Sequence, residues 1–538
     1  MSFLRILLVF AGAGSMALAQ TNNPVEVRRL SLQEAIQLAL TNNLDLQIDR
    51  YNPQINLYNL RANYGDYDPT LNLSGQHDHR ETGSQLVAGG FAVPTSVSDD
   101  NSFNATVNGL LPWGTAYTIG TLGPIIDTYG SSPGFVLDTN GPPIFRTNAV
   151  YSTFGGPQIG STFTTNFPQF LSRSSFENSA GSVGIHVNQP LLKNFWIDQT
   201  RLNISVAKNR LKYTELALKL QIMQTLTALE QAYFDLIYDH ENVIVLQKAV
   251  ELAERLVAEN KKRLEVGALA PLDLQSAEAQ AASARAAVIK AQADLGTQER
   301  LVKALITDRY RADWFGVRLD PAGTLTAPAP VLNLQDSWSR GLEQRPDLLQ
   351  AKLDIQAQGI QLKYDRNQLL PEVDAFATFG YNGSGREFSD ALYDIQQMNR
   401  QFYTYGGQLS LPLTRTRTRN TYQADKAKME QYVLTVKKLE QTIMVQIDND
   451  IGTIRASFDA VQATRAAREY QEAALDAEQK KLNSGKSTTY NVLLVQRDLT
   501  NARGAEIQAL DTYNKSLSQL SLDEGSTLER LGISFEAR

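Results

Sequence analysis

The residue types that most often carry catalysis or bind metal are sparse in this chain. The sequence has no cysteine and four histidines, so disulfides, thiol chemistry and a lipidated N-terminal cysteine are excluded. His77 and His79 would share one face of a strand, where they could chelate a metal ion. Two exposed histidines beside a loop are more typical of polar surface, and His186 and His240 are scattered. We therefore expect no catalytic residue, no metal site, no cofactor and no enzyme activity.

A Gly-Lys-Ser-Thr string at residues 485–488 invites a phosphate-binding interpretation. A phosphate-binding loop needs another glycine five residues before Gly485, where this chain has Lys480. Helical patterns rather than a strand flank the string, so we reject this interpretation. The net charge of −6 is modest for 538 residues, and no basic block indicates nucleic-acid binding.

The chain matches itself at an offset of 302 residues. Residues 30–47 (LSLQEAIQLALTNNLDLQ) correspond without a gap to residues 332–349 (LNLQDSWSRGLEQRPDLL), and Pro69 corresponds to Pro371. So long a period predicts two copies of a large helix–strand–strand–helix unit rather than a solenoid of small repeats. We place the first copy at 20–329 and the second at 330–538.

Alternating apolar and polar residues predict strands at 69–80, 181–190, 372–382 and 402–413. After Pro371, for example, Val373, Ala377 and Phe379 alternate with Asp374 and Thr378. A period of two over about 9–11 residues suits a strand with one apolar face. An ordinary soluble antiparallel sheet would show the same period. The aromatic-rich apolar face and small polar face are more typical of strands with lipid outside and water inside.

The connection between the first two strands is 80 residues longer than its counterpart in the second copy. We expect a long inserted loop at 81–180, because residues 130–175 are rich in Gly, Ser, Thr and Pro. Within it, Phe103, Ala105 and Val107 alternate with polar residues before the LPWGT turn at 111–115. This hairpin could plug the pore from outside, or it could add two barrel strands for a total of six per protomer. The sequence leaves both alternatives open.

Two very long helical hairpins are predicted at 195–308 and 414–522. No proline or glycine occurs from Phe195 to Glu265, and only Gly452 interrupts residues 414–484. At about 1.5 Å per residue, 70 helical residues extend roughly 105 Å. Apolar residues spaced at three and four positions predict coiled-coil packing; the first stripe comprises Leu246, Val250, Ala253, Val257, Asn260 and Leu264.

Each hairpin reverses at a glycine. Gly267 and Gly485 are placed to end the descending helices in a left-handed cap. Pro271 can open the first ascending helix, and Asp273 then lies where the helix dipole favours negative charge. In the second turn, Ser487, Thr488 or Thr489 can cap the ascending helix.

Residues 1–19 have the features of a secretory signal peptide. One basic residue, Arg5, precedes the apolar segment 6–13, and Ala17-Leu18-Ala19 forms a small-residue cleavage site. No later stretch approaches the ~20 apolar residues of a membrane helix. We therefore expect an exported protein without a conventional inner-membrane anchor.

Taken in order along the chain, these features resemble the TolC-type outer-membrane efflux proteins. The resemblance covers the whole mature chain and rests on the duplicated entry helix, both strand ends, both hairpin turns and a C-terminal TLERLGI segment; the strand ends are NQPLLKN (188–194) and LSLPLT (409–414). It implies an α+β membrane protein with a trimeric transmembrane β-barrel of four strands per protomer, or six if the insert contributes. Long coiled-coil helices would continue this barrel as a periplasmic tunnel. Open strand edges independently favour closure between chains, because lipid cannot satisfy them.

The resemblance also implies a gate at the hairpin turns, where acidic residues line the closed aperture. Asp273 matches the family acid in the first turn, although a plain helix-terminus role is an equal alternative. In the second turn, Asn491 and Leu494 occupy positions that can be acidic. Ser487 stands at a position that can be basic and lock the turns together, with Lys486 adjacent as a substitute. The match therefore predicts a tunnel but neither a strong carboxylate ring nor its cation selectivity.

The function implied is a passive exit duct spanning the outer membrane, with a large periplasmic portion. It would serve tripartite efflux or type I secretion, with a periplasmic adaptor and an inner-membrane transporter of the RND, ABC or MFS class as partners. The alternative is a surface-exposed coiled-coil scaffold or adhesin anchored by the barrel. Pore conductance would distinguish the two, since a scaffold should not conduct.

Overall fold

A computed structural model describes residues 27–83, 85–87, 91–93, 95–137, 144–151, 158–166, 169–266, 270–309, 314 and 316–534. The expected signal peptide at 1–19 and Gly267 lie outside these residues. The chain divides into two compact units. We call them the helical unit (1–54, 213–351 and 435–538) and the sheet unit (55–212 and 352–434).

The described residues form short helices, very long helices and a mainly antiparallel set of strands. The helices are α1 Leu32–Asn42, α2 Leu44–Asp49, α3 Tyr51–Tyr64, α4 Gln199–Glu265, α5 Pro271–Ile306, α6 Leu334–Gln344, α7 Pro346–Gln368, α8 Phe388–Gln396, α9 Thr416–Asn483, α10 Thr489–Asp523 and α11 Thr527–Arg530. The strands are β1 Val27–Leu30, β2 Thr70–Thr82, β3 Gln85–Val87, β4 Phe91–Val93, β5 Ser96–Leu110, β6 Ala116–Thr121, β7 Ile125–Leu137, β8 Ile144–Tyr151, β9 Gln158–Asn166, β10 Gln169–Pro190, β11 Arg318–Pro321, β12 Glu372–Gly385 and β13 Gln401–Ser410.

The entry helices α1 and α6 begin and end at positions 302 residues apart, the same offset that relates the two sequence segments. Both are capped by a side-chain oxygen: Ser31 accepts from the Glu34 amide and Asn333 from the Gln335 amide. Such caps satisfy amides that have no partner within the helix. Strands β2 and β12 also begin 302 residues apart.

The core of the helical unit forms where the entry helix packs on the long helices. Ala35, Ile36 and Ala39 of α1 join apolar residues of α4 and α5 in one buried cluster, including Leu226 and Ile306. The parallel pair β1–β11 lies beside it. The Tyr233 hydroxyl donates to the Leu30 carbonyl over 2.8 Å. Each fully buried Leu or Ile contributes about 1.5–3 kcal/mol, so this cluster fixes how the helices meet.

The main sheet of the sheet unit runs β13-β12-β10-β6-β5-β2, with β7 pairing with both β10 and β5. Strand β6 pairs with Val183–Asn188 of β10, and β7 pairs with Gln169–Ala180 of the same strand. Strands β6 and β7 therefore share one position between β5 and β10, and the sheet has six strand positions. Its edges are β2 and β13.

The expected long loop at 81–180 is wrong for the described residues. Strands β5, β6 and β7 lie within it, and β10 begins at Gln169 rather than 181. The Gly- and Ser-rich composition of 130–175 suggested a loop, but backbone pairing with neighbouring strands satisfies these amides whatever their side chains. The sequence left open whether the hairpin plugs the pore or adds strands to the sheet. In the structure the hairpin lies in the sheet, between β2 and β10.

The other boundaries differ from the sequence expectation by a few residues. Strand β13 ends at Ser410 rather than 413, two residues before Pro412, which cannot donate to a ladder. Helix α4 starts at Gln199 rather than 195. Asn194 has φ +65°, a left-handed conformation that interrupts the helix, and the Asp198 side chain accepts from the Arg201 amide over 2.7 Å as the cap.

Candidate functional site

The first tip turn joins α4 to α5. Pro271 is the first residue of α5, and the Asp273 amide donates to the Ala270 carbonyl over 3.1 Å. Asp273 is half-buried in the first turn of the helix, where the unpaired amides attract a carboxylate. Gly267, the expected helix stop, lies outside the described residues.

The second tip turn joins α9 to α10 and is a left-handed helix cap. Gly485 has φ +71°. The Lys486 amide donates to the Lys481 carbonyl over 2.8 Å, and the Gly485 amide donates to the Leu482 carbonyl over 3.1 Å. These two bonds form a Schellman motif, which satisfies the last carbonyls of the helix. A Cβ at position 485 would meet no atom within 4 Å, so glycine is needed here for its backbone conformation and not for space.

Thr488 caps α10, and its hydroxyl accepts from the Asn491 amide over 3.4 Å. The exposed Asn491 side chain donates to the Ser487 hydroxyl over 3.4 Å. Ser487 in turn donates to Glu478 of α9, whose second oxygen lies 3.0 Å from the Lys481 ammonium. These bonds from Ser487 and Lys481 lower the pKa of the Glu478 carboxyl. Ser487 therefore links the second tip turn to α9 within the same hairpin.

A different polar pair links the two hairpins. The Thr489 hydroxyl of α10 lies 3.4 Å from the Asn260 side-chain oxygen of α4. Thr489 is 4% and Asn260 0% exposed. Among the described residues the Asn260 side-chain nitrogen has no hydrogen-bond partner. Sequence reasoning placed Asn260 in the apolar stripe without assigning it a role. The signal was an amide at a position where every neighbour in the stripe is aliphatic.

An apolar cluster holds the four helices together at this end of the helical unit; it comprises Leu256, Ala277, Leu475, Leu482, Val492, Leu493 and Leu499. Because Ala277 is in the second turn of α5 and Val492 in the first turn of α10, the structure brings both ascending helices together at their starts. Leu494 is half-buried, and Asn491 is exposed. Among the described residues around the two turns, large apolar side chains remain exposed: Val266 at 78%, Leu272 at 71% and Tyr490 at 66%.

In the sheet unit, one row of residues across all six strand positions is apolar. Residues directly opposite each other in neighbouring strands share a face; this row comprises Leu71, Val107, Ile119, Ile185, Phe379 and Tyr403. Leu71 is 62% and Tyr403 70% exposed. The sheet therefore presents its apolar side chains outward in this chain.

The next row, on the opposite face, is polar; it comprises Thr70, Asn108, Thr118, His186, Thr378 and Thr404. The His186 ring nitrogen lies 2.9 Å from the Thr378 hydroxyl. His77 and His79 lie farther along β2, and a ring nitrogen of His79 is 2.5 Å from an Asp99 oxygen. Within the described residues no group of three or more His, Cys, Asp or Glu side chains is arranged to hold a metal ion.

None of the helices in the described ranges has the length and hydropathy to cross a membrane. The profile of the family described as "Outer membrane efflux protein" matches residues 156–306 and 338–522, more than half of the chain. The chain belongs to the outer membrane efflux protein family.

Individual relatives agree with this assignment. Outer membrane efflux protein BepC of Brucella suis biovar 1 (strain 1330) is 24% identical over 70% of this chain and 79% of its own length. Outer membrane protein TolC of Escherichia coli (strain K12) is 26% identical over 54% of this chain and 59% of its own. The CmeC outer membrane channel of Campylobacter jejuni has the same fold, with a TM-score of 0.62 at 14% identity, covering 92% of this chain and 86% of that one.

The protein is thus an outer-membrane channel of efflux systems, with a large periplasmic part. The expected TolC-type family is confirmed. The alternative of a surface scaffold or adhesin is not favoured by these similarities.

Proposed function

We propose that three copies of the chain close one β-barrel in the outer membrane and form a passive exit duct. The observation that carries the proposal is the six-position sheet with two open edges, one outward apolar row and one polar row. In lipid, unpaired backbone groups at a sheet edge cost several kcal/mol each. Pairing β2 of one copy with β13 of the next removes both edges at once.

The apolar row then faces outer-membrane lipid, and the polar row faces the water-filled lumen. Lipid covers the side chains that are exposed in a single chain, such as Leu71 and Tyr403. The lumen row consists mainly of threonine and asparagine, whose side chains hydrogen-bond with water. The duct performs no chemistry and binds no cofactor.

The two halves of each chain are proposed to be copies of one helix–strand–strand–helix unit. The shared 302-residue offset of α1 with α6 and of β2 with β12 supports this origin. Duplicated hairpins would let three chains line a periplasmic tunnel with evenly repeated helices. That tunnel would deliver substrates to the barrel from the hairpin turns.

The tip turns are proposed to bind a periplasmic adaptor, which connects the duct to an inner-membrane transporter of the RND, ABC or MFS class. Val266, Leu272 and Tyr490 support this role because they expose large apolar surfaces at the ends of the longest helices. Burying such side chains against a partner is favourable by about 25 cal/mol per Å². Energy for transport would come from that partner, and the duct would open when the turns separate.

The gate is proposed to lie at the same turns, with Asp273, Asn491 and Leu494 near its narrowest point. At most one acidic ring, from Asp273, would then line the aperture. Carboxylates crowded around an axis bind divalent cations, and this aperture would have few of them. The gate should therefore select cations only weakly.

Planar-bilayer recording of the purified protein tests the duct. We expect discrete channel openings, and larger ones in a variant whose tip is loosened by Asn260→Ala. Fusion of vesicles carrying the protein without any conductance in either form would refute a duct and favour a scaffold. The boiled, monomeric protein serves as the negative control.

A further inference from the structure

We infer that the inserted hairpin β5–β6, together with β7, is part of the barrel wall, so that the trimer has eighteen strands and an unusually wide outlet. The inference rests on the trimer proposed above but concerns which strands line the pore. Four strands per chain would give a twelve-stranded barrel, with the hairpin left over as a plug or cap. Four features of the hairpin distinguish these arrangements.

The hairpin separates two strands that a four-stranded wall would have to pair. Strand β2 pairs with β5 from Thr70 to Thr82, and β10 pairs with β6 from Val183 to Asn188. No direct pairing of β2 with β10 occurs in the described sheet. If the hairpin were a plug, the β2–β5 and β6–β10 hydrogen-bond ladders would have to break before β2 could pair with β10.

The faces of the hairpin are in phase with the rest of the sheet. Val107 and Ile119 fall in the apolar row, and Asn108 and Thr118 fall in the polar row. A hairpin inside an aqueous lumen would contact water rather than hydrocarbon and would not require an apolar face in phase with the wall. Alternation that agrees with four neighbouring strands is expected of a wall, because one face of every wall strand contacts hydrocarbon.

The turn of the hairpin is fixed at the helix end of the sheet. Thr115 hydrogen-bonds to Gln189 near the end of β10. Gly114 has φ +89°, and a Cβ there would come within 2.9 Å of the Arg201 guanidinium at the start of α4. The turn is also short, as turns on the periplasmic side of outer-membrane barrels are. Trp113 in this turn is 58% exposed, suited to the aromatic girdle at a membrane interface.

The insert is long enough to cross the membrane because β7, with 13 residues, continues the six-residue β6 at the same strand position beside β10. Strand β5 has 15 residues, against about 9–11 needed to span. Beyond the apolar rows, β5 and β10 continue with polar residues such as Ser98, Asp99, Ser174 and Asn178, which pair with or lie beside β7. The outer half of the wall therefore extends into water rather than folding back into the pore.

Width follows from strand number. Barrel diameter grows roughly in proportion to the number of strands, so eighteen strands give a diameter about 1.5-fold that of twelve, and 16–18 strands leave an open aqueous channel. The outlet would thus pass bulky polar solutes, and size selection would fall to the tip turns.

Engineered cysteines test the strand order within one chain, because the natural sequence has none. Thr118→Cys with His186→Cys places two thiols at directly opposed positions of β6 and β10. Opposed residues of paired strands lie within the Cα separation that a disulfide requires. We expect this pair to oxidise nearly completely in outer membranes. The control pair, Thr378→Cys with Thr404→Cys on β12 and β13, should oxidise equally in either arrangement.

The competing pair is Thr70→Cys with His186→Cys, which would be opposed only if β2 paired directly with β10. Efficient oxidation of this pair, with little in Thr118→Cys/His186→Cys, would overturn the inference. Single-particle images of the wild-type protein provide the independent readout. Eighteen strands would support it, and twelve strands around a lumenal hairpin would contradict it. A monomer would refute the proposed trimer, while the disulfides would still report the strand order.

Discussion

The second tip turn depends on one residue whose backbone, rather than its contacts, requires glycine. At Gly485 the positive φ costs other residues on the order of 1–2 kcal/mol, while no neighbouring atom would meet a Cβ. Gly485→Ala should therefore destabilise the turn by that amount and increase amide hydrogen exchange at 480–490. The matched control is Gly504→Ala in α10, where a Cβ also meets nothing. It should be neutral or stabilise by up to about 1 kcal/mol. Equal effects of both substitutions would contradict a conformational role for Gly485.

The buried pair Asn260–Thr489 is a weak bond in an apolar setting. Thr489→Val should destabilise the tip by about 1–3 kcal/mol, because it leaves the buried Asn260 side-chain oxygen without its donor. The double variant Asn260→Leu/Thr489→Val should regain most of this loss, since replacing both partners by apolar groups removes the desolvation cost. Chemical unfolding of the four proteins in a double-mutant cycle measures the coupling. Additive losses would mean that the two side chains do not interact.

Asn491 determines the charge of the proposed gate. Asn491→Asp would add three like charges to one ring of the trimer, and such a ring should bind divalent cations. We expect the substitution to introduce block by divalent cations from the periplasmic side, with the wild type nearly insensitive in bilayer recordings. Asn501→Asp, an equally exposed change in the same helix, should not introduce block. Strong block of the wild type, unchanged by Asn491→Asp, would place the constriction elsewhere.

At the scale of elements, the half-buried carboxyl of Asp450 couples α9 to the end of α10. Burial and the neighbouring Asp523 raise the pKa of the Asp450 carboxyl to about 7, although Arg345 opposes the shift. Arg345 lies 3.2 Å from an Asp523 oxygen and 3.0 Å from Asp347, so its charge is shared. All four of these residues lie in the helical unit.

The raised pKa predicts a loss of stability with rising pH. Between about pH 4 and 7 the folded state retains a proton on Asp450 that the unfolded state has lost, so unfolding becomes easier across that window. Asp450→Asn should raise stability at pH 8 and flatten the dependence in thermal unfolding. The control is Asp448→Asn, exposed on the same helix, which should leave the slope unchanged. A wild type equally stable at pH 5 and pH 8 would contradict the account.

The elements themselves were largely predictable from local patterns. Strand alternation after Pro371 and the proline- and glycine-free helical stretches reflect periods set by backbone geometry. As expected, Pro271 is the first residue of its helix and Thr488 caps the other ascending helix. The role of the insert was not predictable, because composition cannot say which strand will pair with Ser- and Gly-rich residues. The Asn260–Thr489 pair was missed for a similar reason. It joins residues far apart in sequence, and only packing of the two hairpins brings them together.

On the scale of the whole molecule, a single chain leaves two unmet requirements. The sheet has unpaired edges at β2 and β13, and its apolar row is exposed. Lipid satisfies the second requirement but not the first, because hydrocarbon offers no hydrogen bonds. Closure with further copies pairs the edges while the apolar row stays in contact with lipid, so the proposed channel depends on assembly more than on any single residue.

Native mass spectrometry of the unheated, detergent-extracted protein tests that assembly most directly. The account predicts one dominant species of three chains, which separates into single chains only when the sheet is lost on heating. A stable single chain that retains its β-sheet circular dichroism signal would contradict the shared barrel.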